Sequence, residues 1–277
     1  MELKIDSRKS PVVIRTDCQE LIDFLQNDSF PKRYIPEFHL DDCATEKGLV
    51  MVSEKSDEFK LDLDYPSRVI YHGSNIQIDT VVLLGYIMER IRQEKGVYSL
   101  HSSAVSKNRK GVVFIGDKMA GKTTLSLYCA SNGFAFISDE KTLIDPKNGL
   151  IVGGNKIIAP NEFLTNQTDL DTTKSMNCAS IANLNLIVYP RLYENPVPQL
   201  QQWSQQKVNM YFYAKFGEYI CGHSVRLNNL QAPVESLDTL VLALQRIKDV
   251  EALTQSVPAY TIKGNKEAIF HAVNGLL

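Results

Sequence analysis

The chain has 277 residues, 44% hydrophobic and 22% charged, and its 30 basic residues nearly balance 32 acidic ones for a formal charge of −2. That balance excludes a disordered or fibrous chain, supplies no global field for nucleic acid or an anionic membrane, and leaves enough apolar material for one large or two modest cores. Cys18, Cys43, Cys129, Cys178 and Cys221 lie far apart with no CxxC pair, which argues against a disulfide framework or zinc cluster and points to a cytoplasmic, reduced setting. The N-terminal MELKIDSRKS lacks the apolar core of a signal peptide, and the run TVVLLGYIM at 80–88 is too short for the ~20 residues a bilayer crossing needs.

Residues 1–77 read as a small α+β region. Thr16 with Gln19 has capping-box spacing and opens a helix through Leu21, Ile22, Phe24 and Leu25 that stops at Asn27-Asp28. Residues 28–36, with Lys32-Arg33, read as a solvated loop. Strand-like runs follow at 49–53, 59–63 and 68–71; alternation places Asp62 and Asp64 on one solvent face, and 72–75 reads as a hairpin turn before a strand at 76–78. Asp79 is expected to cap a joining helix over 78–96, terminated by Gly96. The domain from 97 to 277 follows.

Residues 97–105, VYSLHSSAV, form an expected strand in which Ser102 and Ser103 interrupt an apolar pattern. The polar turn at 107–110 returns the chain into VVFI at 112–115, making a hairpin that brings His101 near what comes next. That is GDKMAGKT at 116–123, with the spacing of a phosphate-binding loop: glycines let backbone N–H groups turn inward around phosphates, Lys122 offers a point charge, and the Thr123 hydroxyl offers a Mg²⁺ ligand. A helix from Thr124 to Gly133 presents its N-terminus to the same place. Gly116, Asp117, Lys118, Met119, Ala120, Gly121, Lys122, Thr123 and Thr124 are the candidate nucleotide-binding set.

The next strand, FAFIS at 134–138, ends in Asp139-Glu140. Laid parallel to 112–115 through one right-handed crossover, its C-terminal end brings Asp139 beside the phosphates. A carboxylate there can hold Mg²⁺ or accept the proton of an attacking hydroxyl.

The run LHSSAV at 100–105, the loop GVVFIGDKMAGKTTL at 111–125, Asn132-Gly133 and ISDE at 137–140 together resemble the catalytic domain of the HPr kinase/phosphorylase family. The likeness is strongest to its stand-alone relatives, which include peptide kinases, and that family shares a core with phosphoenolpyruvate carboxykinases. The resemblance implies an α/β, P-loop-containing HPr kinase/phosphoenolpyruvate carboxykinase-like core with a smaller N-terminal α+β region. It further implies that Gly116, Gly121, Lys122 and Thr123 bind ATP or GTP with Mg²⁺, that Asp139 is the base, that Glu140 helps with metal, and that His101 lies near the transferred phosphate. Asp139-Glu140 stands where the family usually has two aspartates, and Lys118-Met119-Ala120 replaces a common Ser-Gly pair.

Downstream, 142–152 reads as two strands around a Pro/Asn-Gly turn, and 153–180 as a long connector suited to a substrate loop or lid, with Lys156 and Glu162 among its charges. Leu184 to Tyr189 is a core strand with Arg191 beyond its end, 190–206 is irregular, and Tyr211, Phe212, Tyr213, Phe216 and Tyr219 form a core-type aromatic stretch beside His223. Ser236 is expected to cap an amphipathic helix through Leu237, Leu240, Val241, Leu244 and Ile247; a strand at 260–263 and a helix begun by Asn265 close the chain.

These features predict a kinase that transfers the γ-phosphate of a nucleoside triphosphate to a hydroxyl, first a serine of a peptide or protein. A small-molecule kinase acting on an amino acid or sugar, a non-catalytic nucleotide switch and a carboxykinase-like lyase are the alternatives. No nucleic-acid or membrane partner is expected, and homo-oligomerisation stays open.

Overall fold

The computed structural model describes residues 1–41, 48–52, 60–64, 68–72, 76–158, 170–222, 225, 227 and 234–277, with backbone alone for 60–64 and 68–72. The chain is mixed α/β and divides into two compact units, Met1–Lys95 with Gly217–Ala243, and Gly96–Phe216 with Leu244–Leu277. No helix among the described residues is long and apolar enough to cross a membrane.

The first unit is built from β1 (Glu2–Ser7), β2 (Val12–Thr16), α1 (Gln19–Asn27), α2 (Ser29–Tyr34), β3 (Phe38–Leu40), β4 (Leu49–Val52), β5 (Lys60–Asp64), β6 (Arg68–His72) and α3 (Ile76–Glu94). Its strands form one mixed sheet in the order β3-β1-β2-β4-β6-β5. Ile5, Val12, Ile14 and Val50 from the sheet pack with Leu21 and Leu25 of α1 and with Val81, Leu84 and Ile91 of α3. Ile220, Val225, Val234 and Leu242 enter the same core, which is why 217–243 belongs to this unit and not to the block expected from 97 onward. The Tyr86 hydroxyl seals that attachment, bonded to Ile220 O at 3.0 Å and Glu235 O at 2.6 Å.

Several local expectations differ here. The Thr16 side chain accepts from Cys18 N–H, forming a short turn, and α1 starts at Gln19 without a side-chain cap. Asp28 caps α2 through Phe30 N–H, so the segment taken for a loop is helical despite Pro31, which sits near a helix start where its missing N–H costs nothing. Residues 76–78 are the first turn of α3, and Asp79 lies inside it. Residues 73–75, Cys43, Glu162 and His223 fall outside the described residues, as do the side chains of Asp62 and Asp64.

The second unit comprises β7 (Tyr98–Leu100), β8 (Ser102–Lys107), β9 (Lys110–Ile115), α4 (Lys122–Ser131), β10 (Ala135–Ser138), β11 (Thr142–Asp145), β12 (Leu150–Gly154), β13 (Ile157–Ile158), β14 (Leu170–Asp171), β15 (Ala182–Leu192), β16 (Gln199–Gln202), α5 (Gln205–Glu218), β17 (Ala259–Gly264) and α7 (Lys266–Leu276). Helix α6 (Leu240–Ser256) starts in the first unit and continues into this one. The main sheet runs β10-β8-β9-β15-β12-β11-β7, with β17 parallel to the later half of β15 and β16 antiparallel to β17. Residues expected to be irregular, 190–206, therefore supply the end of β15 and all of β16. Strands β9, β15 and β17 are mutually parallel, so their carboxyl ends open on one edge of the sheet.

Strand β10 shares the direction of β9, as a βαβ crossover requires, but β8 lies between them, antiparallel to both. The expected hairpin exists as β8–β9, whereas the preceding residues 98–100 leave it and pair with β11 at the far end of the sheet order. Only His101 separates β7 from β8, so the sheet must curl until its two ends meet at this residue. The aromatic stretch is core in part: Phe212 and Phe216 of α5 are fully buried, and Phe216 stacks on Tyr98 with centroids 4.6 Å apart, whereas Tyr213 is exposed.

Helix α6 reverses the expected face. Leu240 and Val241 are 75% and 76% exposed, and Leu244 and Ile247 are also exposed. The inward face carries Leu242, Val250 and Leu253 together with buried Arg246 and Asp249, the latter accepting from the Tyr98 hydroxyl at 2.6 Å and from Gln245 at 2.7 Å. The helix begins after Thr239, whose hydroxyl accepts from Leu242 N–H, and not at Ser236.

Candidate active site

The carboxyl end of β9 runs into 116–121 and then α4, so the loop faces the open ends of β15 and β17. Its turn depends on backbone that glycine tolerates. Gly121 has φ of +88°, and a Cβ there would run into the Leu192 side chain at the end of β15. Met119, at φ +67° and 82% exposed, also adopts the left-handed region.

Lys122 is folded back on the loop. Its Nζ donates to Gly116 O at 3.0 Å and Asp117 O at 2.9 Å, and the residue is buried. Burial pulls its pKa below the usual lysine value, while Glu140, Asp139 and Asp117 oppose that shift. Thr123 Oγ1 lies 2.9 Å from both carboxylate oxygens of Asp139, which closes the loop helix onto the end of β10.

Asp139 is 2% exposed. Burial, reinforced by the neighbouring Glu140 charge, raises its pKa to about 7, against the lowering effects of the Thr123 hydrogen bond and of Lys122. Its position is fixed by backbone: Asp139 N–H donates to Asn155 O at 2.8 Å, and Lys141 N–H to Asp139 O at 2.7 Å. Glu140 sits at φ +62°, a sparsely occupied conformation for a non-glycine residue that turns its side chain away from Asp139's burial and toward His101. His101 Nδ1 is 3.6 Å from Glu140 Oε2, both partly exposed.

The structure thus brings Lys122, Thr123, Asp139, Glu140 and His101 to one edge of the sheet, with the Asp117 carbonyl on Lys122. Lys118, Met119, Ala120 and Asp117 also line an open pocket of about 290 Å³ with Tyr189, Pro190, Arg191 and Leu192. The Tyr189 hydroxyl donates to Asp117 Oδ2 at 2.9 Å, and the Arg191 guanidinium lies over the Tyr189 ring. Arg191 is inside β15, not beyond it.

Sequence reading missed Tyr189, which looked like one more core aromatic, and Asn155, whose carbonyl is the anchor for Asp139. The odd serines were a usable signal. Ser103 Oγ donates to Lys122 O at 2.9 Å, and Ser102 Oγ to Thr142 Oγ1 at 2.7 Å, with Ser138 Oγ on the same threonine oxygen at 2.7 Å. These buried hydroxyls tie β8, β10 and β11 together directly beneath the loop. Of the expected substrate loop, residues 159–169 lie outside the described residues; Lys156 Nζ reaches Ser180 Oγ at 3.3 Å.

No family model matches the chain, and no curated protein matches it. Among solved structures it is similar to the HPr(Ser) kinase/phosphatase from Coxiella burnetii at 17% identity and a TM-score of 0.25, over 37% of this chain and 70% of that one. A likeness at that level assigns neither family nor activity, so the chemistry rests on the residues themselves.

Proposed function

We propose that the second unit is a phosphotransferase of the P-loop kinase kind, moving the γ-phosphate of ATP or GTP to a hydroxyl, with a serine of a peptide or protein as the first-choice acceptor. The observation that carries this reading is Asp139: a buried carboxylate, raised to about 7, hydrogen-bonded to the first turn of the loop helix and within the field of Lys122. A carboxylate tuned to neutrality is suited to take a proton from an alcohol, since general-base efficiency is greatest when the base titrates near the working pH. A purely structural carboxylate at a helix start has no need of that tuning.

Each residue then has a task. The backbone N–H groups of 116–123 and the α4 N-terminus cradle the phosphates. Lys122, released from Gly116 O and Asp117 O, exchanges two carbonyl contacts for phosphate oxygens, a stronger charge-assisted pairing. Thr123 Oγ1 and the Glu140 carboxylate would supply oxygen ligands of the kind a hard cation such as Mg²⁺ prefers, Asp139 reaching the ion only through water, and the ion would supply charge neutralisation on the triphosphate. Asp139 orients the acceptor hydroxyl and receives its proton. His101, beside Glu140, is placed to contact the phosphate in transfer.

The test is transfer from γ-labelled ATP to serine peptides, HPr, free serine and sugars. Wild type labels an acceptor. Asp139→Asn loses roughly 10²–10⁴-fold in rate with nucleotide affinity largely kept, the usual scale for removing a general base. Lys122→Ala retaining full transfer would overturn the proposal. Labelling confined to free serine or a sugar would move the acceptor to the small-molecule class.

A further inference from the structure

Away from the loop, the edge of the first sheet carries a second constellation. In the antiparallel pair β1–β3, Asp6 stands directly opposite His39, and Asp41 follows His39 by two residues, with its N–H on Lys4 O at 3.2 Å. Opposed residues and residues two apart share a sheet face, so all three side chains emerge together. A ligand atom from each of Asp6, His39 and Asp41 lies within 4.8 Å of the other two. The loop site plays no part in this cluster.

Two details separate it from an ordinary surface ion pair. His39 Nδ1 is 3.0 Å from Glu37 O. A carbonyl oxygen only accepts, so Nδ1 carries a proton and Nε2 is the ring nitrogen left on the side of Asp6, the orientation that metal-binding histidines acquire from such a backbone contact. Nε2 is 3.8 Å from Asp6 Oδ2, too far for a hydrogen bond. Ligands at about 2.1 Å from one ion lie roughly 3.0–3.4 Å apart at tetrahedral or octahedral angles, so a small closure suffices.

The second detail is Asp6 itself. It is 9% exposed; Oδ2, the oxygen nearest His39 Nε2, accepts from Lys9 N–H at 2.9 Å, and the buried Oδ1 accepts no hydrogen bond from any described residue. A buried carboxylate left short of donors is costly, and a cation held by this carboxylate would offset that cost.

We propose that Asp6, His39 and Asp41 form a binding site for a divalent transition-metal ion, one imidazole and two carboxylates suiting borderline ions such as Zn²⁺. Three protein ligands leave a position for water, and the ion clamps the short edge strand β3 to β1.

The test is Zn²⁺ calorimetry on the nucleotide-free full chain in Mg²⁺ buffer, with Co²⁺ absorption as a second readout. We expect one Zn²⁺ per chain, a raised melting temperature, and a Co²⁺ spectrum free of thiolate charge transfer. His39→Gln at a half-exposed position and isosteric Asp6→Asn each weaken binding roughly tenfold or more, whereas Asp139→Asn at the loop leaves it unchanged. Absence of Zn²⁺ binding, binding that survives both His39→Gln and Asp6→Asn, or a thiolate band in the Co²⁺ spectrum would each overturn the assignment.

Discussion

Replacing Asp139 by Asn tests the electrostatics of the loop site without any substrate. In the folded protein the carboxyl titrates near 7, against 3.8 when unperturbed, because burial and then Glu140 disfavour its ionised form. Below pH 4 the group is protonated whether folded or not, and it costs nothing. Between about 4 and 7 the unfolded chain releases the proton while the folded one keeps it, so stability falls as pH rises; above 7 both are ionised and the loss is constant. About three units of displacement correspond to an upper value of ~4 kcal/mol, of which about 2–3 kcal/mol accrues between pH 5 and pH 8. Asparagine is never ionised and still offers Thr123 an acceptor, so the variant should be more stable than wild type at pH 8 and closer to it at pH 5. Urea unfolding with chelator and without nucleotide measures this. The single tryptophan, Trp203, donates to Thr261 Oγ1 inside the same unit and reports its unfolding. A stability difference between variant and wild type that stays flat or narrows from pH 5 to pH 8 would refute the assigned burial of charge.

Three further substitutions probe the scaffold. Gly121→Ala forces a side chain into the left-handed region and against Leu192, so a cost of about 1–3 kcal/mol should appear as lost stability in urea unfolding. Phe216→Ala empties a fully buried position stacked on Tyr98 and should cost about 3–5 kcal/mol by urea unfolding. Tyr189→Phe removes a solvent-exposed bond to Asp117 from a half-buried ring; stability should change by less than about 1 kcal/mol, while amide exchange across 117–120 should quicken.

What was legible in the sequence was local. The loop spacing, the helix after it and the carboxylate at the end of the next strand are fixed by neighbours within a few residues, and the structure places Lys122, Thr123 and Asp139 together as that order implies. The Asn265 cap on α7 was legible for the same reason, its side chain accepting from Ala268 N–H. Helix α2 was not, because its proline masked a start that Asp28 caps. The inward face of α6 was not, because Arg246 and Asp249 are buried there by partners far away in sequence, and periodicity assigns such residues to solvent.

The placement of β8 between β9 and β10 shows where local signals stop. Apolar strands read alike whether they are neighbours or separated, so 112–115 and 134–138 gave a direction but no adjacency. Ser102 and Ser103, which the apolar pattern could not accommodate, carried a different signal. A hydroxyl buried in a strand needs a partner. Two adjacent ones, pointing to opposite faces, demand partners on both sides: Thr142 on one, Lys122 O on the other. Those two bonds tie β8 to the helix that carries the lysine and to the strand that follows Asp139, next to the acid, the loop and His101.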